Sequence, residues 1–199
     1  MTQNTVTVTP ATHRFFNELA TAQAATAAYG IGHVVQAGMT WQPYSPNQPI
    51  MQVCFTRLVE VEFDPHEVLG PISRFVWPSI IHLGLRQGSR RPPATLNPTA
   101  VQLLMGSLYE HAFITYYEKN VAQVVAKHKG KRHWPNALTF GRIVRNAFAH
   151  GGTVNITDGI SASWGNVNYS PADNGRRVLY NDLSQGDLTL LMLDMDSEF

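Results

Sequence analysis

The residues best suited to chemistry lie in one short run, Arg142-Ile143-Val144-Arg145-Asn146-Ala147-Phe148-Ala149-His150-Gly151-Gly152. Arginine carries a permanent planar charge whose donors match two phosphate oxygens. Histidine, with a reference pKa of about 6.5, moves protons near neutral pH. RNA brings its own nucleophile, the 2′-OH. Cutting it without a metal takes a base for that proton, an acid for the leaving 5′ oxygen and positive charge beside phosphorus. His150 and Arg145 are of these types, and Asn146 is placed to orient His150 or the phosphate by hydrogen bonds. The expected products are a 2′,3′-cyclic phosphate and a 5′-OH.

A second run precedes it: Lys127-His128-Lys129-Gly130-Lys131-Arg132-His133-Trp134. Four fixed positive charges and an aromatic ring in so short a loop suit phosphates and a stacked base. Lys127, Lys129, Lys131, Arg132 and Trp134, together with Arg142, are therefore candidate RNA contacts. Each residue also has a structural reading. His150 at a helix C-terminus interacts favourably with the macrodipole, at roughly 0.3–1 kcal/mol. Arg145 suits a surface salt bridge, and Trp134 a core anchor. Arg90-Arg91 and Arg176-Arg177 are smaller basic pairs with weaker claims. His128 and His133 flank a glycine loop without a carboxylate, so neither a metal nor a cofactor is expected.

The element that must position these residues is a helix over 136–150, stopped by Gly151-Gly152. Positions three and four apart on a helix share a face. Phe140, Ile143, Val144, Ala147 and Phe148 therefore gather into one broad apolar face. Arg142, Asn146 and His150, each four residues from the next, make a polar stripe along one flank of it. Arg145 sits on the other flank. Arg145 and His150, five apart, are thus poor neighbours on one straight helix. They act at one point only if the chain turns at the glycines or if a second copy meets the first across a two-fold axis.

Arg145, Asn146 and His150, followed by Gly-Gly, resemble the motif of the HEPN superfamily: Arg, often a polar residue next, then His four to six residues beyond the Arg. The likeness is confined mainly to 136–152, with helical context from about 98. It implies a mainly α, HEPN-like helical bundle with a small β elaboration, dimerised so that the motif helices face one another. Many proteins similar in this way are metal-independent RNA endonucleases in toxin–antitoxin or defence systems, with an antitoxin or other regulatory protein as a further partner. Others are non-catalytic modules that bind RNA, a nucleotide or a partner protein. The chain is accordingly read as a single domain over 1–199, with 40–93 and 153–183 as candidate insertions. A coincidental motif in a structural protein is the third reading.

Composition frames this. The 199 residues are 44% hydrophobic and 15% charged, which fits a folded protein. The net charge of +1 says little, but its distribution is uneven. Seven of the fifteen Lys and Arg residues fall between Lys119 and Arg145, while the end carries Asp182, Asp187, Asp194, Asp196 and Glu198. Cys54, the sole cysteine, reads as a small buried residue. No signal peptide and no apolar run of membrane-spanning length is evident, so no membrane partner and a cytoplasmic location are expected.

The other elements follow from local signals. A helix is expected over about 10–29 after Thr9-Pro10, with a short continuation to Val35. A loop follows at 40–49, then a strand over Val53–Phe63, a helix start at Asp64-Pro65 and a mixed apolar stretch to Leu85. After a basic loop over 86–93, a long helix spans about 98–128. Beyond His150, short strands are expected at 154–156, 161–167 and 177–180, with a turn at Asp173-Asn174-Gly175. A final helix over about 185–196 is capped by Ser184-x-x-Asp187.

Overall fold

A computed structural model describes residues 4–36, 49–88 and 99–199. The expected mainly helical bundle is overturned. The described chain is mixed α/β, with five α-helices and a four-stranded antiparallel sheet. The elements are β1 (Asn4–Val8), α1 (Phe16–Gln36), β2 (Ile50–Val53), β3 (Val59–Phe63), α2 (Pro65–Ile72), β4 (Ile81–Gln87), α3 (Ala100–Lys127), α4 (Asn136–Ala149), β5 (Ala162–Trp164), β6 (Val167–Tyr169) and α5 (Gln185–Asp196). The large sheet runs β1-β4-β3-β2, and β5-β6 is a separate hairpin.

The sheet explains why the local reading fell short. Asn4-Thr-Val-Thr-Val alternates β-branched residues, and Val6 pairs with Leu83, Val8 with Ile81. Read by composition alone, that segment is merely Thr-rich. The mixed stretch after Val68 resolves into α2 and then β4, which pairs with both β1 and β3. The single strand expected over Val53–Phe63 is two strands, β2 and β3, around a turn at 54–58. Val8, Val61, Phe63, Ile81 and Leu83 bury their side chains in the same cluster as Phe15, Phe16 and Leu19 of the α1 segment.

The helices match local expectation better. Thr9-Pro10 starts only a turn, closed by the His13 amide on the Thr9 carbonyl at 2.9 Å, and the helix proper begins at Phe16. Asp64 caps α2, its carboxylate accepting from the His66 amide at 2.8 Å. Thr99 and Gln102 form a capping box at the start of the 28-residue α3. The Asn97-Pro98 signal and most of the loops at 40–49 and 86–93 lie outside the described residues. Ser184 and Asp187 cap α5 as their spacing implies. Among the described residues no helix is long and apolar enough to cross a membrane.

Asp187 does more than cap. It is fully buried. Its carboxylate accepts from the amides of Ser184 (2.8 Å), Phe55 (2.7 Å) and Thr56 (3.1 Å), and from the hydroxyls of Ser184 (2.7 Å) and Thr56 (2.6 Å). The amides that would have prolonged β2 are thereby drawn onto α5. Gly165, at φ +58°, and Gly186 let the backbones close in, since a Cβ on either would lie within 3.0 Å of this turn. Asp187→Ala would strand two buried amides, so a loss of roughly 3 kcal/mol or more is expected in the urea midpoint. Asp187→Asn, which keeps an acceptor, should cost less. An alanine variant as stable as the parent would remove Asp187 from this role.

Candidate functional site

α4 carries the candidate motif, and three of its sides are covered. Phe140 stacks on Tyr169, with ring centroids 5.2 Å apart and planes 7° apart. Phe148 meets Phe113 of α3 edge-on at 6.0 Å. Gly141 lies against Met195 of α5 so closely that an added Cβ would overlap its Sδ. Arg145 and Asn146 lie half-buried between these covered sides, with Arg145 reaching Glu118 of α3, and His150 stands exposed at the helix end.

The helix ends as its glycines dictate. Gly151 and Gly152 both take φ +82°, and the Gly152 amide reaches back to the Ala147 carbonyl at 2.8 Å. This six-to-one bond closes a Schellman turn. His150 is the cap residue, exposed, with its own amide on Ala147 O at 3.0 Å. Its ring has no hydrogen-bonding partner among the described residues.

The two arginines differ. Arg142, placed on the polar stripe by its spacing from Asn146 and His150, is 7% exposed. The loop after α4 folds over it, and its Nη1 donates to Asp158 Oδ2 at 2.7 Å. Its Nε and Nη2 are buried with no acceptor. Arg145 is half-buried. Its Nη1 donates to Asn146 Oδ1 at 3.1 Å, its Nη2 pairs with Glu118 on the exposed side of α3, and its Nε has no acceptor. Both guanidinium groups act on the buried Tyr117. Burial pushes its hydroxyl up to about 12, with the two arginines pulling it down and Glu118 pushing it up. Burial alone would also raise Asp158, but the Ile160 amide and the Arg142 guanidinium outweigh it and hold the carboxyl below its usual value, with Lys131 adding to the effect.

The basic loop is divided. Lys129, Lys131 and Arg132 are exposed. Lys127 is occupied, donating to the carbonyls of Glu198 (2.8 Å) and Phe199 (2.9 Å). His133 Nδ1 is bonded to the Lys129 carbonyl at 2.7 Å. Trp134 is 8% exposed and belongs to the core, so its ring is not offered to a base. The site thus brings Arg145, Asn146, Arg142 and Lys131 together with Glu118, Tyr117 and Asp158, which the motif did not reveal. Glu118 and Asp158 lie far from the motif arginines in sequence, and only the packing of α3 and the loop after α4 brings them in.

Asp158 gives a pH signature. Its folded pKa lies below the unfolded value of about 3.9, so its contribution is complete above about pH 4 and is lost as pH falls through the folded value. Asp158→Asn should therefore lower stability at pH 7 by roughly 1–3 kcal/mol, between an exposed and a fully buried pair. The gap from the parent should close on acidification, as read by urea midpoints across pH. A gap unchanged down to pH 2 would show that the Arg142 pair is not its source.

Comparison of the chain with protein-family models, with curated proteins and with solved structures finds no match.

Proposed function

We propose that the chain is an RNA-directed, metal-independent endonuclease of the HEPN type, acting as a homodimer. Arg145 holds the scissile phosphate, Asn146 orients the guanidinium and His150 moves the proton. The observation that carries this reading is an arginine with unused donor capacity on the same helix as an exposed, unpartnered histidine held at the helix end by two left-handed glycines. Glu118 does not close the site. It is 47% exposed on its side chain, and such a pair is worth about 0–1 kcal/mol, so a phosphate can replace it. Lys129, Lys131 and Arg132 add positive charge that steers RNA toward this end of α4. A cytoplasmic location belongs to the same reading.

The two-fold mate is supported by α3. Leu104, His111, Glu118 and Val125 recur every seven residues and are all exposed. A heptad stripe drifts only about 20° per repeat, so they share one face. Leu104 and Val125 are equidistant from the midpoint between Ile114 and Thr115, and so are His111 and Glu118. Two antiparallel copies of α3 therefore set leucine against valine at both ends and histidine against glutamate inside, which is the self-complementarity an isologous contact needs. Glu118 would then gain a partner other than Arg145.

One observation favours a second reading. Arg142 and Arg145 each already have a carboxylate within their own chain. That suits a non-catalytic module which binds RNA, a nucleotide or a partner protein.

Labelled RNA incubated with the purified protein in EDTA should yield 2′,3′-cyclic phosphate ends. Arg145→Ala and His150→Ala should each reduce the rate by about 10²-fold or more. Undiminished cutting by either variant would defeat the catalytic assignment, and salt-sensitive binding without cutting would favour the second reading. Leu104→Glu and Val125→Glu, both at exposed positions, should turn a dimer into a monomer by light scattering and lower activity with it. A monomeric parent would remove the two-fold mate.

A further inference from the structure

A cavity of about 250 Å³ opens between α1 and α3, lined by Ala22, Leu108 and Ala112 together with Asn17, Glu18 and Lys119. An apolar cavity of roughly 150 Å³ already holds benzene, so this one has room for an aromatic side chain. Its polar neighbours are engaged. Glu18 receives the Lys119 ammonium, Asn17 Oδ1 accepts from the Trp77 indole at 3.0 Å, and the Thr21 hydroxyl donates to the Asn17 carbonyl at 2.8 Å. The walls that remain are apolar, and they suit an apolar occupant.

Such an occupant projects nearby. The end of α2 closes as a Schellman turn: the Phe75 amide reaches the Ile72 carbonyl at 2.9 Å, and the Val76 amide reaches the Pro71 carbonyl at 3.0 Å. The left-handed position of that turn is the usual place of glycine, but Phe75 holds it at φ +59°. The strain gains nothing within the chain, because the Phe75 ring is fully exposed. Val76, Trp77 and Ile80 beside it are exposed as well. Trp77 is the residue whose indole holds Asn17, so the projecting turn stands beside the cavity without filling it.

We propose that Phe75 of one copy enters the α1–α3 cavity of a second copy. The chain carries both halves of the contact, a projecting ring and an apolar hole large enough for it. Because they lie side by side, a two-fold axis between them lets two copies exchange rings, which closes the contact at a pair. Each ring buries roughly 150–250 Å², so two rings and the walls they cover come to roughly 600–1,000 Å². That is below the roughly 1,200 Å² at which stable interfaces begin, so the association is weak and reversible. It depends neither on cleavage at α4 nor on α3 pairing, whose apolar ends are Leu104 and Val125. Where both contacts form, this one links α3-paired dimers to one another.

The test is sedimentation equilibrium of the whole chain carrying Leu104→Glu and Val125→Glu, so that α3 pairing is absent. This protein should be monomeric at about 10 µM and approach twice the monomer mass at a concentration on the order of 1 mM, as a contact of this size implies. A mass that stays monomeric throughout overturns the proposal. Adding Phe75→Gly should weaken the association about tenfold or more, while the urea midpoint stays level or rises, because glycine relieves the turn. Association like the parent's overturns the exchange, and so does a clear fall in the midpoint, which would show that the ring serves its own fold. Toluene, which offers the same ring, should compete for the cavity and return the protein to monomer. Thr115→Phe, from a half-buried position in the cavity wall, should do the same by filling the hole. Association indifferent to toluene, or to Thr115→Phe in a protein whose circular dichroism is the parent's, places the ring elsewhere and overturns the proposal.

Discussion

Everything near α4 depends on one buried carboxylate. Asp187 has no exposure, and removing an ion from water costs several kcal/mol even after relaxation. Five donors from two segments, the turn after β2 and Ser184, offset that cost, and the N-terminus of α5 adds a favourable dipole. The carboxylate therefore does two jobs with one charge. It stops β2 by taking the amides of Phe55 and Thr56, and it anchors the start of α5 against the sheet edge. From that fixed start, α5 delivers Met195 to Gly141 of α4. It also delivers Asp194 to the Trp164 indole at 2.7 Å, and Asp196 to the backbone of Arg14 at 3.3 Å. The position of α4, and hence of its arginines, is tied through α5 to the turn after β2.

The charge asymmetry of the chain acquires a physical meaning from these contacts. An acid-rich end beside a basic middle suggests two solvated faces. Instead Asp182, Asp187 and Asp196 are buried acceptors. Asp182 takes the Tyr169 hydroxyl at 2.9 Å, which props the ring that stacks on Phe140. The carboxylates near the end of the chain are internal fasteners. Among the described residues the exposed lysines and arginine between 129 and 132 have no such partners, so the positive character of the α4 end survives at the surface.

Legibility follows the range of the interactions. The bounds of α3, α4 and α5 are readable to within a residue or two, because caps and glycine stops act within a turn. The Gly151-Gly152 stop is the clearest case. The sheet is not readable, because β1 acquires its meaning only when Val6 meets Leu83, nearly eighty residues away. The same holds for the site. Arg145, Asn146 and His150 are visible as a spacing, whereas Glu118, Tyr117 and Asp158 enter through packing. Trp134 is open between stacking platform and core anchor on its sequence. Burial decides for the core, since Trp134 is 8% exposed and packs in the core cluster.

The two arginines show why motif and mechanism are not the same thing. The motif spacing selects Arg145 and passes over Arg142, which lies eight residues before His150, and their surroundings make the two unequal as well. Breaking the pair of a buried charge costs about 3–5 kcal/mol, whereas an exposed pair costs about 1 kcal/mol or less. Arg142, with its side chain 8% exposed beneath the loop after α4 and its partner Asp158 30% exposed in that loop, lies nearer the first class. Arg145, at 30% against a half-exposed glutamate, is close to the second. On the proposed reading, an incoming phosphate would displace Glu118 far more readily than Asp158. Arg142 is therefore the structural arginine of the two, and Arg145 the one whose pair is cheaper to exchange. The difference that separates a structural arginine from a ligand-binding one is thus set by α3 and the loop after α4.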